Sequence, residues 1–179
     1  MKKAAIVLLV LGCFVMFQAC SSTPKLPDAK AGLYVNAENR FTVAYPEKWE
    51  AQALTSPNEV MRAANPSQYL LPVIAVSVAD QQASDSLDPK GFTEAVKASI
   101  PGTKRFKVLD QEDVTLNDGT PAKAFTYKWT WTDGATKLLS ASLITIKNDK
   151  FYSSTVTTIL GGDTPPETLL EIAKGWMFY

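Results

Sequence analysis

Between Thr120 and Ile159 apolar and polar positions alternate with a period of two, the pattern of β-strands. Over Pro121 to Thr132 the bulky residues Phe125, Tyr127, Trp129 and Trp131 share one face, and Ala122, Ala124, Thr126, Lys128 and Thr130 the other. Asp133-Gly134 predicts a turn into a second strand, Thr136 to Lys147, and Asn148-Asp149 a turn into a third, Lys150 to Ile159. Three consecutive antiparallel strands thus form the centre of the expected fold.

Upstream, Gly32 to Asn36 and Arg40 to Tyr45 predict a first hairpin, with Phe41, Val43 and Tyr45 on one face. Pro46 ends that strand because it has no amide hydrogen for a ladder, and Trp49 follows in a short turn. Glu59 to Ala64 and Leu70 to Ala79 are further strands. The second of these is apolar on both faces, which predicts a sheet covered on both sides at its centre. Asp88-Pro89 marks a helix start, and Phe92, Ala95, Val96 and Ile100 give it an apolar stripe before Pro101-Gly102 stops it. Phe106 to Leu116 is a strand that turns at Asn117-Asp118-Gly119. Thr164-Pro165-Pro166-Glu167 predicts a capping box for a second helix carrying Leu169, Leu170, Ile172, Ala173 and Trp176. The fold class is α+β, a mainly antiparallel sheet with helices on both faces.

The N-terminus has a different character. Lys2-Lys3 precedes an apolar run from Ala4 to Met16, of signal-peptide length and too short to span a bilayer as a permanent helix. A buried helix or a retained anchor is the plainer alternative. The order of cationic start, apolar run and small-residue boundary favours a leader over 1–19. Phe17-Gln18-Ala19-Cys20-Ser21-Ser22 resembles the lipobox of bacterial lipoproteins, although Phe17 and Gln18 stand where that family prefers leucine and a small residue. Val10-Leu11-Gly12-Cys13 is a rival box with a shorter apolar run before it. The resemblance implies acylation of Cys20 and a bacterial envelope protein. By family habit, the serine after Cys20 implies the outer membrane, facing the periplasm. Ser21 to Ala31 then reads as a polar tether whose eleven residues reach roughly 35 Å when extended.

Composition narrows the chemistry. Apolar residues make up 46% and charged residues 20%, which is ordinary for a globular domain. Without Lys2 and Lys3 the chain has 16 basic and 18 acidic residues, a charge of −2, so nothing favours nucleic acid as a partner. There is no histidine, which removes the commonest general base and metal ligand. With Cys13 gone in the leader and Cys20 acylated, no thiol is left for a disulfide, a nucleophile or a metal. No catalytic, cofactor or metal residues are expected.

The remaining clusters each have a plain reading. Asp110, Glu112 and Asp113 fall short of the six to eight oxygens calcium takes, and a solvated edge is favoured. Lys104, Arg105 and Lys107 suit anionic headgroups, but more simply keep a surface soluble. The aromatic row is core beneath a helix or one wall of a ligand groove, with Trp129 and Trp131 at its exposed end. Ser140, Ser142, Ser153 and Ser154 lack a nucleophile elbow.

Phe41-Thr-Val-Ala-Tyr-Pro-Glu-Lys-Trp49, Gly91-Phe92, Gly119-Thr-Pro-Ala122 and the closing helix resemble the PsbP-like family, which includes the DcrB-type bacterial lipoproteins. The resemblance covers most of 32–179. It implies an αβα sandwich that binds or stabilises partners and is not known for catalysis. Histidines that matter in some photosynthetic members have no counterpart here. The reading is a lipid-anchored protein-binding or complex-assembly module whose candidate surface lies near Tyr45 and Trp49 or near Trp129 and Trp131. The alternative is a small-ligand or lipid-binding lipoprotein with an aromatic-lined pocket.

Overall fold

The computed structural model describes residues 25, 27–28, 30–66, 71–82, 87–99 and 103–179. The expected leader, Cys20, positions 21–24, 26 and 29 of the expected tether, Leu70 and the Ile100–Gly102 helix stop lie outside them.

The three central strands form as the alternation dictates: β7 (Pro121–Thr130), β8 (Lys137–Lys147) and β9 (Lys150–Ile159). Asp133 holds the first turn by accepting at Oδ1 from the amides of Ala135 and Thr136, at 2.8 and 2.9 Å. Asn148 and Asp149 take φ of 50° and 59°, the left-handed pair that a two-residue turn between right-twisted strands requires.

Around this meander the sheet extends to seven antiparallel strands. β4 (Glu59–Ala64) and β5 (Val73–Asp80) join beyond β9, and β6 (Lys104–Thr115) forms the edge beyond β7. The other edge is β3 (Glu50–Ala51), a two-residue strand where the sequence predicts only a turn.

A second sheet has three strands. β1 (Leu33–Asn36) and β2 (Phe41–Ala44) make the expected hairpin. The third is β10 (Trp176–Phe178), antiparallel to β2. This corrects the sequence reading, which puts Trp176 on the second helix. That helix, α2 (Pro166–Ala173), ends earlier, with Lys174 as its C-cap. Trp176 instead stacks on Phe41, centroids 4.2 Å apart.

The start of α2 also differs from expectation. Its N-cap is Pro165, in extended geometry and without a side-chain hydrogen bond, so there is no capping box at Thr164. Proline in the first turn serves instead, since Pro166 has no amide hydrogen to leave unsatisfied. The first helix, α1 (Pro89–Ser99), is capped as predicted. Asp88 Oδ1 accepts from the amides of Lys90 and Gly91 at 2.8 and 2.9 Å.

Two apolar clusters divide the interior. Phe92 of α1 packs with Phe125, Tyr127, Trp129, Leu138 and Ile144, and its ring lies parallel to that of Phe125 at 4.1 Å. Leu169 and Ala173 of α2 pack instead with Ala122, Ala124, Ala141, Leu143 and Val156, together with Phe41, Trp176 and Phe178 of the small sheet. Strand alternation sorts β7 between the two: odd-numbered bulky residues in one, small even-numbered ones in the other. The class is α+β, a mainly antiparallel sheet with two helices.

Candidate functional site

Of the two candidate patches, Tyr45–Trp49 and Trp129–Trp131, each keeps one accessible residue and buries the other. Trp129 is 4% exposed and Trp49 8%, both within the apolar clusters. They contribute packing, not accessible area. Trp131 is 44% exposed, two residues along the same face as Trp129 and 5.4 Å from it between ring centroids. Tyr45 is half-buried just past the end of β2, packed against the α2 cluster.

The inner part of the aromatic row is anchored by hydroxyls. Trp129 Nε1 donates to Ser140 Oγ at 3.0 Å, and Ser140 pairs in turn with Thr157 Oγ1 at 2.9 Å. Tyr127 Oη and Ser142 Oγ lie 3.1 Å apart, with Thr155 Oγ1 2.7 Å beyond. Burial pushes the Tyr127 phenol above its ordinary pKa, against the opposing pull of these hydroxyls. Ser140 and Ser142 therefore satisfy buried aromatic polar groups on the strand face, which the sequence does not reveal because the partners sit on three strands.

Tyr45 does belong to a cavity. Tyr45 and Pro46 form one wall of an apolar surface groove of about 440 Å³, and Glu167, Thr168, Glu171 and Ile172 of α2 form the other, with Gly175 at its end. The groove exists because the chain approaches itself closely there: Ala44 donates its amide to the Gly175 carbonyl at 2.8 Å. A Cβ on Gly175 would lie 2.5 Å from the Ala44 oxygen. The start of β1 lies beside it, with the Gly32 carbonyl accepting from the Tyr45 amide at 2.8 Å. Two carboxylates on an apolar floor suit an apolar side chain flanked by basic groups. Of the groove's residues only Tyr45 is legible as surface in the sequence; the apolar stripe of α2 predicts packing, and its outer face becomes a wall only through the Gly175 contact.

A second cavity, about 250 Å³, collects Arg40, Lys147, Lys150, Tyr152, Phe178 and Tyr179. Two of its three cations are engaged. Lys147 pairs with Asp118 and sits 4.1 Å over the Phe178 ring, and Arg40 Nε donates to the Tyr179 carbonyl at 3.0 Å. Two of the three acidic residues of β6 are likewise used in ion pairs, Asp113 with Lys123 at 2.7 Å and Glu112 with Lys174, and Asp110 Oδ1 accepts from the Gln111 amide at 2.9 Å. Among the described residues no group of three or more His, Cys, Asp or Glu is arranged to hold a metal.

The densest polar knot is Glu59, which is 8% exposed. Its carboxylate accepts from Arg62 Nη2 at 2.5 Å and Nε at 3.3 Å, and from the Thr55 amide at 2.6 Å. Burial disfavours its charge, but the bonds from Arg62 and Thr55 outweigh that and hold the carboxyl below its ordinary pKa. It ties the 52–58 loop to β4.

No family model and no curated protein matches the chain. Among solved structures, cyanobacterial PsbP (CyanoP) from Synechocystis is similar over 91% of this chain and 99% of its own, with a TM-score of 0.60 and 15% identity. A protein of unknown function from Pseudomonas aeruginosa matches 70% of this chain and 81% of its own, at 15% identity and a TM-score of 0.40. A Bacteroides thetaiotaomicron protein matches 84% of this chain and 49% of its own, at 13% identity and a TM-score of 0.43. The likeness to CyanoP shows a PsbP-like fold. None of these matches supports the DcrB-type lipoprotein branch of the resemblance.

Proposed function

We propose that this chain is a lipid-anchored envelope protein whose αβα domain, one helix on each face of the large sheet, is a non-catalytic module that binds another protein. The observation that carries the binding role is the groove between Tyr45–Pro46 and α2, apolar along its floor and edged by Glu167 and Glu171. Its open, apolar form suits a segment of a partner that inserts an apolar side chain between basic ones. The enclosed aromatic-lined pocket of the alternative reading has less behind it, since Trp49 and Trp129 are packed in the interior. Anchoring rests on the Cys20 boundary in the sequence, and the tether would bring the groove close to the bilayer.

Two measurements test the two halves. Metabolic labelling is expected to put palmitate on the chain and not on Cys20→Ser; absence of label from the parent chain removes the anchor. A photo-crosslinking residue at Thr168, exposed on the groove wall, is expected to give a discrete adduct in intact envelopes that weakens when Glu171 is changed to Lys. The same probe at Lys90 on α1 is the control. Equal adducts at both positions, or none at Thr168, would remove the groove as a partner site.

A further inference from the structure

The end of the large sheet where β7 passes into β8 collects basic residues that no other part of the fold uses. Register places them. Lys104 lies opposite Thr130, and Thr130 opposite Lys137, in one cross-strand row. Lys107 lies directly opposite Lys128, and Lys128 opposite Leu139, in the next row on the same face. Like charges in direct register repel, and none of these four lysines has a carboxylate within ion-pairing distance among the described residues. Arg105 stands exposed between the first two at a φ of 53°, beside a break in the β6–β7 register. The acids of β6 begin only farther along the strand, at Asp110, and Asp133 is turned into its own loop by bonds from Ala135 and Thr136.

The same end exposes large apolar side chains. Trp131 is 44% exposed, Ile159 50% and Leu160 38%. Leu160 donates its amide to the Lys137 carbonyl, so it continues the first lysine row, while Ile159 continues the row of Trp129 and Leu138 on the opposite face. Cationic side chains on long stems beside an exposed indole and aliphatic groups are the chemistry of a bilayer interface: phosphates pair with the ammonium groups, and the indole sits at headgroup depth.

The route of the chain agrees. Phe178 is fixed at the other end of the sheet by its two bonds with the Asn117 side chain. From there β2 runs away from that end to Ala44 and on to the Tyr45–Gly32 contact. The tether therefore enters on the side away from the Asn117 and Lys147 turns.

We propose that the sheet end formed by Lys104, Lys107, Lys128, Lys137, Trp131 and Ile159 is a membrane-facing surface that takes the phosphates of anionic lipid headgroups. It depends on the anchored reading only to bring the domain to a bilayer, which palmitate labelling tests separately.

The test uses the full acylated chain reconstituted into vesicles of brominated phosphatidylcholine, with and without phosphatidylglycerol, so that anchoring is the same in both. Trp49, Trp129 and Trp176 are buried, and subtracting the emission of Trp131→Phe isolates Trp131. The expected result is quenching of Trp131 only in the anionic vesicles, reversed in about 1 M NaCl, where the screening length falls to about 3 Å. It is also expected to be lost in the Lys107→Gln, Lys128→Gln double variant. Quenching that is equal in neutral vesicles, or indifferent to both salt and the double variant, overturns the proposal. Absence of quenching in anionic vesicles does so too, and leaves the corner as a surface for protein. The salt arm needs only the parent chain, so the test stands if the double variant does not fold.

Discussion

Gly175 shows how much a single position without a side chain can decide. With a Cβ there only 2.5 Å from the Ala44 oxygen, Gly175→Ala must push β2 away from the end of α2. A loss of about 1–3 kcal/mol is expected, the usual range for overpacking, read as a lower urea midpoint with an unchanged slope. An unshifted midpoint would mean that the contact gives way freely. The tryptophans illustrate what a pattern of residues can and cannot say. Trp129 and Trp131 share a face by simple alternation, and that much is legible in the sequence. Their opposite burial is not. It follows from where the cover of α1 stops and from Ser140 waiting on the next strand to accept from Trp129. Tyr45 is legible as an aromatic at a strand end, whereas the groove it lines depends on residues some 120 positions later.

At the level of elements, α1 is held chiefly by one ring. Phe92 lies parallel to Phe125 and edge-on to Tyr127 at 5.2 Å. Phe92→Ala is expected to destabilise the domain by about 3–5 kcal/mol, as aromatic deletions from a core do. Hydrogen exchange should rise first in α1 and leave α2 and β8 protected; uniform loss of protection would show the two apolar clusters to be inseparable. The long strands are readable because their periods persist over eight to twelve residues, and the start of α1 because Asp88 caps it from its own sequence neighbourhood. β3 and β10 are not, being two and three residues long. Trp176 falls on the apolar stripe of α2 when helical spacing is simply continued. What draws it into a strand is pairing with β2 and stacking on Phe41, neither of which local sequence encodes.

The molecule as a whole should be stable over a broad pH plateau with two distinct limbs. Burial opposes the charge of Glu59 and Asp118, yet bonds from Arg62 and Thr55 in one case, and from Lys147 and Thr120 in the other, leave both carboxyls below their ordinary values. A depressed carboxyl stabilises the fold above its unfolded pKa, and that contribution is lost as pH falls through the folded one. Tyr127 has the opposite sign: burial raises it, so its contribution disappears as pH climbs past the unfolded phenol value of about 10. A melting-temperature profile is expected to fall at both extremes, with Glu59→Gln flattening the acid side. A melting temperature that holds steady on acidification would refute the roles given to Glu59 and Asp118. The pairing of β2 with β10 has a consequence for biogenesis. Some 130 residues separate the two strands, so during vectorial synthesis the hairpin at 33–44 has no third strand until almost everything else has been made. A nascent chain halted before Gly175 should leave that hairpin open to protease while the meander is already sheltered, so the free edge of β2 closes only when the final strand arrives.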